Sequence, residues 1–532
     1  MLMDDRTKKL LDIERVLAEL HPITPFGQKC KNGLKPYLPE QKQELIEELD
    51  RVELIHGLVN EQRGVFVEIR TSMRQVKDIR KSVERCMGGG VLNAVEFFEL
   101  KNFVYVIKSM AASQKQLHWK IPDKFRIREL EWVETLLDPE NTGIKTFYIY
   151  DHYSEKLKEI RQEKALVEKS LDRLRREITA GLEKELGIPI RPTGELIISK
   201  NQPELIKKLQ LHDKFQIAGE TFINITFRIR PTEEMQQQLK QIEFLKEEEF
   251  LEESHILESL SMKVAARAEE IIADMDAVGE FDLLVSKAYL ANAHDAVKPV
   301  ITDGQSLIIT DGRHPIVEAG LRKKGREYTP ISVALNTGVA LITGANMGGK
   351  TVSVKMMGLL TVMVHYGLLV PVRRMETGVF DFVFLSAGDE QSIDLGLSTF
   401  GAEMQGIRNV LAETDRRGLI MIDELARGTN PHEGFAISAA IINFLLKKPC
   451  ITIITTHFDG LVRPGIKHLQ VTGLRNIDCS TLSDPEAIAR CMDYTLLEIE
   501  GETNVPRDAI NISRMMGLPE EILREAEKIL NE

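Results

Sequence analysis

Residues 338–365 read GVALITGANMGGKTVSVKMMGLLTVMVH: an apolar strand-like run, a glycine-rich turn, and a helical pattern with no punctuation between them. This order constrains the fold more than any other feature of the chain. A strand that feeds a helix through a tight glycine turn belongs to an α/β domain, in which chemistry collects at the C-terminal ends of the strands. Gly344, four further residues and then Gly349-Lys350-Thr351 give the spacing of a phosphate-binding loop. Successive backbone N–H groups in such a loop, with the positive end of the helix that follows, form a concave anion site. Gly348 and Gly349 admit the close backbone approach, Lys350 would reach the β- and γ-phosphates of a nucleoside triphosphate, and Thr351 would set its hydroxyl on Mg²⁺.

The same domain supplies further strand candidates: SLIITDG, FDFVFLSAG, GLIMIDE, CITIITTH, HLQVTGL and DYTLLEIEG. GLIMIDE ends in Asp423-Glu424, two carboxylates delivered by a buried strand. Asp423 is expected to bind Mg²⁺ through water, and Glu424 to activate the attacking water. CITIITTH ends in Thr456-His457, where His457 is placed to sense a γ-phosphate or orient water.

Ahead of this domain the pattern is helical. From Met1 to about Asp151 apolar residues recur three and four apart, and MLMDDRTKKLLDIERVLAEL reads as one amphipathic helix. Residues 152–186 form a charged, heptad-like stretch suited to a long projecting helix. GELIISK and KFQIAGETFINITFRIR then alternate as strands, with a turn expected at Ala218-Gly219, before a second long helical pattern runs from Glu233 to about Val278. Helix out, small sheet at the tip, helix back is the simplest topology. We therefore expect a multidomain chain: an α-helical core or lever over 1–151, an antiparallel helical arm over 152–278 with a small β tip at about 188–231, a return into the core over 279–304, and an α/β domain from 305 to 532.

A net charge of −12 argues against adhesion to nucleic acid over the whole surface. The tip is different, with seven Lys or Arg against four Asp or Glu between Ile188 and Pro231. Lys200, Lys207, Lys208, Lys214, Arg228 and Arg230 are candidate phosphate contacts. On the returning helix, Glu247, Glu248, Glu249, Glu252 and Glu253 would repel a phosphate backbone. No apolar run approaches the roughly 18 residues of a membrane span, and the N-terminus lacks a signal-peptide pattern, so the cytoplasm is expected. The five cysteines are scattered with no metal-ligand spacing, which speaks against a disulfide framework or zinc site.

Taken together, these motifs resemble the MutS family of DNA mismatch repair ATPases. TGANMGGKT is similar to that family's P-loop, LSTFGAEM to its signature loop, DELARGTNPHEG to its Walker B segment with the loop that follows, and TTHF to its His-bearing strand end. DGRHPIVEAG resembles the entry into the ATPase domain, FDLLVSKAYLAN the stretch leading back to the core, and GLPEEILREAEKIL the C-terminal dimerising helices. GDEQS resembles the branch that acts outside mismatch repair.

The resemblance implies an ABC-type P-loop ATPase using ATP and Mg²⁺. Gly344, Asn346, Met347, Gly348, Gly349, Lys350 and Thr351 would hold the nucleotide, with Asn346 adding a polar contact. Ser398 would complete the site of the opposite subunit in a homodimer, and Arg427-Gly428-Thr429-Asn430 would lie at that interface. The lever and clamp would close over DNA. As it stands, the chain is expected to lack the family's mismatch-recognition domain and any appended nuclease domain. Phe-x-Glu strings at Phe66, Phe97 and Phe250 fall in helical contexts and are read as chance. The expected function is an ATP-gated dimeric clamp on branched or otherwise structured DNA. The alternative, also from the resemblance, is an ATP-driven factor that remodels a protein client such as a cobalamin-dependent amino-acid mutase. A nucleotide-binding scaffold without turnover is disfavoured by the intact Glu424.

Overall fold

The computed structural model describes residues 1–344, 349–387, 399–426, 429–458, 460–474, 492–499, 510, 513–514 and 517–531. Its contacts divide the chain into two compact units, each assembled from separated stretches: Gln75–Ala111 with Ile127–Met275, and Met1–Arg74 with Ala112–Arg126 and Asp276–Glu532.

In the first unit, a helix spans Glu155–Leu186, capped by the Ser154 hydroxyl, which accepts from the Leu157 amide, and ended by Gly187 at φ 71°. A second helix, Glu233–Ala265, lies against it. Leu171, Met235 and Ile242 form one buried cluster of the two helices. Arg161 binds Glu249 at 2.9 Å and Glu253 at 2.7 Å, and Lys156 binds Glu252 at 3.3 Å. Three of the five expected repelling acids are therefore neutralised within the arm, because they occupy the helix face turned toward the partner helix.

Three antiparallel strands make the tip: β1 (Glu195–Ser199), β2 (Phe215–Glu220) and β3 (Asn224–Ile229), in the order β1-β3-β2. A helix that the alternation did not reveal, Pro203–Leu211, inserts Leu209 into a core with Leu196, Phe215 and Phe227. The expected turn at Ala218-Gly219 is corrected. Those residues lie within β2 at a register shift between Ile217 and Gly219, and the chain reverses at Thr221–Ile223. Glycine inside a strand marks such a bulge as readily as a turn. The returning helix also breaks at Ala266-Arg267, and a new helix continues over Ala268–Ala293.

The second unit holds two sheets. Strands β4 (Val300–Ile301), β5 (Ser306–Gly312), β6 (Ile331–Asn336) and β8 (Arg374–Thr377) form one, ordered β4-β8-β5-β6. The other contains β7 (Gly338–Thr343), β9 (Phe382–Ser386), β10 (Gly418–Ile422), β11 (Cys450–Thr455), β12 (Lys467–Leu474) and β13 (Met492–Glu498), ordered β13-β12-β7-β11-β10-β9. All its neighbours are parallel except β12 and β13. Every residue of β10 and β11 is buried, as expected for parallel strands covered on both faces.

The N-terminal stretch is two helices, Asp5–Leu10 and Ile13–Ala18, rather than the single helix expected, because Asp12 between them adopts φ 57°. It lies on the edge strand β9: the Val383 amide donates to the Leu2 carbonyl at 2.7 Å, and the Leu385 amide to the Thr7 hydroxyl at 3.4 Å. No helix among the described residues is long and apolar enough to cross a membrane. Cys30, Cys86 and Cys450 are reduced thiols, Cys479 and Cys491 lie outside the described residues, and no cluster of three potential metal ligands occurs among those described.

Candidate functional site

Because β7, β11 and β10 are parallel neighbours, their C-terminal ends reach the same edge of the sheet. The glycine turn leaves β7 there. Gly344 has φ 123°, and a Cβ on it would lie 3.0 Å from the Val471 carbonyl oxygen of β12. Gly349, at φ 83°, opens the helix Lys350–His365. A Cβ at Gly349 would lie 3.0 Å from the ring of Tyr494 on β13. Glycine is thus required at both ends of the turn, once for its backbone angle and again for close approach. Asn346, Met347 and Gly348 lie outside the described residues, as do Ser398, Arg427 and Gly428.

The helix places Lys350 and Thr351 side by side. Lys350 is 3% exposed, and its Nζ donates to the Gly344 carbonyl at 2.5 Å. Burial lowers its pKa, while the Asp423 and Glu424 carboxylates act in the opposite sense. The Thr351 hydroxyl donates to Asp423 Oδ2 at 2.7 Å.

Asp423 and Glu424 are held by a residue that motif spacing did not single out. The Thr455 hydroxyl at the end of β11 donates to Asp423 Oδ1 at 2.7 Å and accepts from the Glu424 amide at 2.7 Å. One hydroxyl, used as both donor and acceptor, therefore sets the rotamer of one carboxylate and the backbone of the other. The Asp423 amide donates to the Ser386 carbonyl of β9 at 2.8 Å, so two neighbouring strands fix this strand end. Glu424 has φ 57° and Ala426 φ 59°, left-handed angles that non-glycine residues seldom take. The Ala426 amide donates to Glu403 Oε1 at 2.9 Å, from the helix Thr399–Leu411. Burial pushes the Glu403 carboxyl up to about 7.

His457 follows β11 and is exposed, its ring 4.7 Å from that of Phe458. The Thr456 amide before it donates to the Ile342 carbonyl at 3.1 Å, which ties this strand end to β7. The Thr351 hydroxyl and Asp423 carboxylate together present hard oxygen donors beside a phosphate-type loop, a set that suits Mg²⁺ rather than a soft metal.

Residues 340–532 match the family model described as MutS domain V. The chain belongs to the MutS family. It is 30% identical to the endonuclease MutS2 of Caldanaerobacter subterraneus subsp. tengcongensis, over 92% of this chain and 60% of that relative. It is 30% identical to the endonuclease MutS2 of Shouchella clausii, over 98% of this chain and 64% of that relative, and 32% identical to the endonuclease MutS2 of Lachnospira eligens, over 88% and 57%. The chain thus spans less than two thirds of the length of these relatives.

Within this MutS-family chain, Lys350, Thr351, Asp423 and Glu424 converge at the strand ends. The six tip cations divide. Lys200 pairs with Glu220 at 2.7 Å and Arg228 with Glu195 at 2.5 Å, whereas Lys207, Lys208, Lys214 and Arg230 are exposed or half-exposed and form no ion pair among the described residues. Motif spacing did not mark Thr455, Glu403 and Tyr494, which meet Asp423, Ala426 and Gly349 respectively. Thr455 and Glu403 had a signal, since they lie within the TTHF and LSTFGAEM strings, and Tyr494 had none.

Proposed function

We propose that this MutS-family chain binds and hydrolyses ATP with Mg²⁺. The observation that supports it best is the hydrogen-bonded series Thr351–Asp423–Thr455–Glu424, which aligns a metal-type oxygen pair beside a second carboxylate at the exit of a phosphate loop. When bound, Mg²⁺ would draw charge from the phosphates. Thr351 and Asp423 hold it, Lys350 balances the β- and γ-phosphate charge, and Glu424 takes the proton of the attacking water. His457 orients that water or senses the terminal phosphate, and Ser398 completes the site of a second copy in a homodimer.

The lever-and-arm segments then serve as an ATP-gated clamp on DNA, of branched or structured form rather than mismatched. Lys207, Lys208, Lys214 and Arg230 support this part of the reading as cations left facing solvent. Steady-state ATPase at about 0.15 M salt, with no addition, with duplex and with four-way-junction DNA, tests both parts. Glu424→Gln should bind ATP and lose turnover, and undiminished turnover in that variant would refute the assigned base. Equal behaviour with every DNA, in turnover and in binding, would overturn the clamp.

A further inference from the structure

Left-handed non-glycine residues persist only where their surroundings over-determine them. Two stand at one strand end here, Glu424 and Ala426, with Leu425 between them. The Thr455 hydroxyl holds the first through its amide, and the Glu403 carboxylate holds the second, at 2.7 and 2.9 Å. These two holders come from different parts of the chain. Thr455 belongs to the central sheet, whereas Glu403 belongs to the Thr399–Leu411 helix, which begins directly after residues 388–398.

The helix and the turn also share one core. Leu425 and Ala426, 1% and 2% exposed, pack in a single cluster with Ile407 and Val410 from the helix, and Phe400 and Met404 lie against it. A shift of the helix must therefore move either the Glu403 acceptor or the apolar contacts beneath the turn. Burial raises the Glu403 carboxyl, while the Ala426 amide and then the Arg6 guanidinium draw it down.

We propose that Glu403 is a positioning residue for the hydrolytic glutamate: by accepting the Ala426 amide it fixes the turn that aims Glu424, and so makes the Thr399–Leu411 helix a determinant of turnover rather than of nucleotide affinity. This rests on the ATPase reading given above. An ordinary buried glutamate satisfied by a nearby amide would share the hydrogen bond but not the kinetic consequence.

Glu403→Ala removes the acceptor, Glu403→Gln keeps a carbonyl acceptor without a titrating group, and Glu403→Leu fills the volume with no acceptor should the Ala variant fail to fold. We expect Glu403→Ala and Glu403→Leu to lose kcat by about tenfold, the equivalent of one orphaned buried amide, with ATP affinity unchanged, and Glu403→Gln to stay within about twofold of the parent. Amide hydrogen exchange over 423–426, measured without nucleotide, should quicken in the Ala and Leu variants and not in Gln. Parental kcat and exchange in Glu403→Ala, an equal loss in Glu403→Gln, or a loss confined to KM would each overturn the proposal. If the parent itself does not hydrolyse ATP, the ATPase reading falls and with it the kinetic role. Exchange then still reports whether Glu403 holds the turn.

Discussion

The strand ends around Lys350 and the tip of the helical arm both concentrate charge, and they treat it in opposite ways. At the strand ends the cation is buried, its Nζ fixed on a carbonyl, the Asp423 carboxylate is placed by two hydroxyls, and the Glu424 backbone is held by one of them. At the tip four cations face water on flexible stems, with no ion pair among the described residues. Backbone strain follows the same division, because Glu424 and Ala426 carry left-handed angles while no non-glycine residue between 155 and 265 has a positive φ among those described. Desolvated, directional charge suits bond making and breaking. Hydrated charge suits adhesion to a polyanion, governed by counterion release rather than geometry.

Thr455→Val breaks the first half of this contrast and should have the largest effect. With the hydroxyl gone, Asp423 loses a donor and the Glu424 amide an acceptor, so kcat should fall on the order of a hundredfold while Thr455→Ser stays close to the parent. Steady-state kinetics with MgATP decides it, and a parental kcat in the Val variant would remove Thr455 from the site.

Replacing Lys207, Lys208, Lys214 and Arg230 together by Ala breaks the second half. DNA affinity should drop about tenfold or more, and the slope of log K against log salt should flatten by about 0.9 for each phosphate no longer neutralised. Unfolding free energy should move by less than about 0.5 kcal/mol, since the four side chains reach into solvent. The paired Lys200 and Arg228 should contribute less to that slope. An unchanged slope in the quadruple variant would take the tip out of DNA binding.

The smallest effect sharpens the contrast in strain. Ala426→Gly should move the unfolding free energy by less than about 1 kcal/mol in a denaturant titration, because relief of the Cβ penalty at φ 59° is offset by loss of a methyl buried in the core. If the tightness of this turn serves Glu424, kcat should fall modestly in the same variant.

Much of this organisation was legible in the sequence, and the omissions have physical causes. Seven strand-like runs in the last 230 residues coincide with β5, β7 and β9 to β13; for β7, β9, β10 and β11 the reason is that parallel strands buried on both faces are written as unbroken apolar runs. ISVALN and RMET, which became β6 and β8, passed unnoticed. RMET is four residues long with two charged side chains, and its identity as a strand comes from its neighbours β4 and β5. The tip helix Pro203–Leu211 hid between two strand patterns, and Gly219 signalled a bulge that reads like a turn. The loop residues Lys350 and Thr351 and the carboxylates Asp423 and Glu424 announced themselves by spacing. Thr455, Glu403 and Tyr494 did not, because each acts through a contact formed only when distant strands and helices meet. The composition of the two units was equally hidden, since periodicity says nothing about which helices return to which core.

The strap formed by the first residues across β9 bears on how this protein comes into being. Thr7 and Leu385 are 378 positions apart. At about 5–20 residues per second of synthesis, the strap waits on the order of half a minute before the strand it covers exists. Until then Leu2, Met3 and Leu11, all buried in the finished fold, stay without their partners, and β9 leaves the ribosome with an open edge. Closing so long a loop adds little to the final stability balance but much to the time taken to reach it. Assembly of the strand-end chemistry is therefore a late event in the life of each new chain, and the interval before it is when a holding chaperone has most to protect.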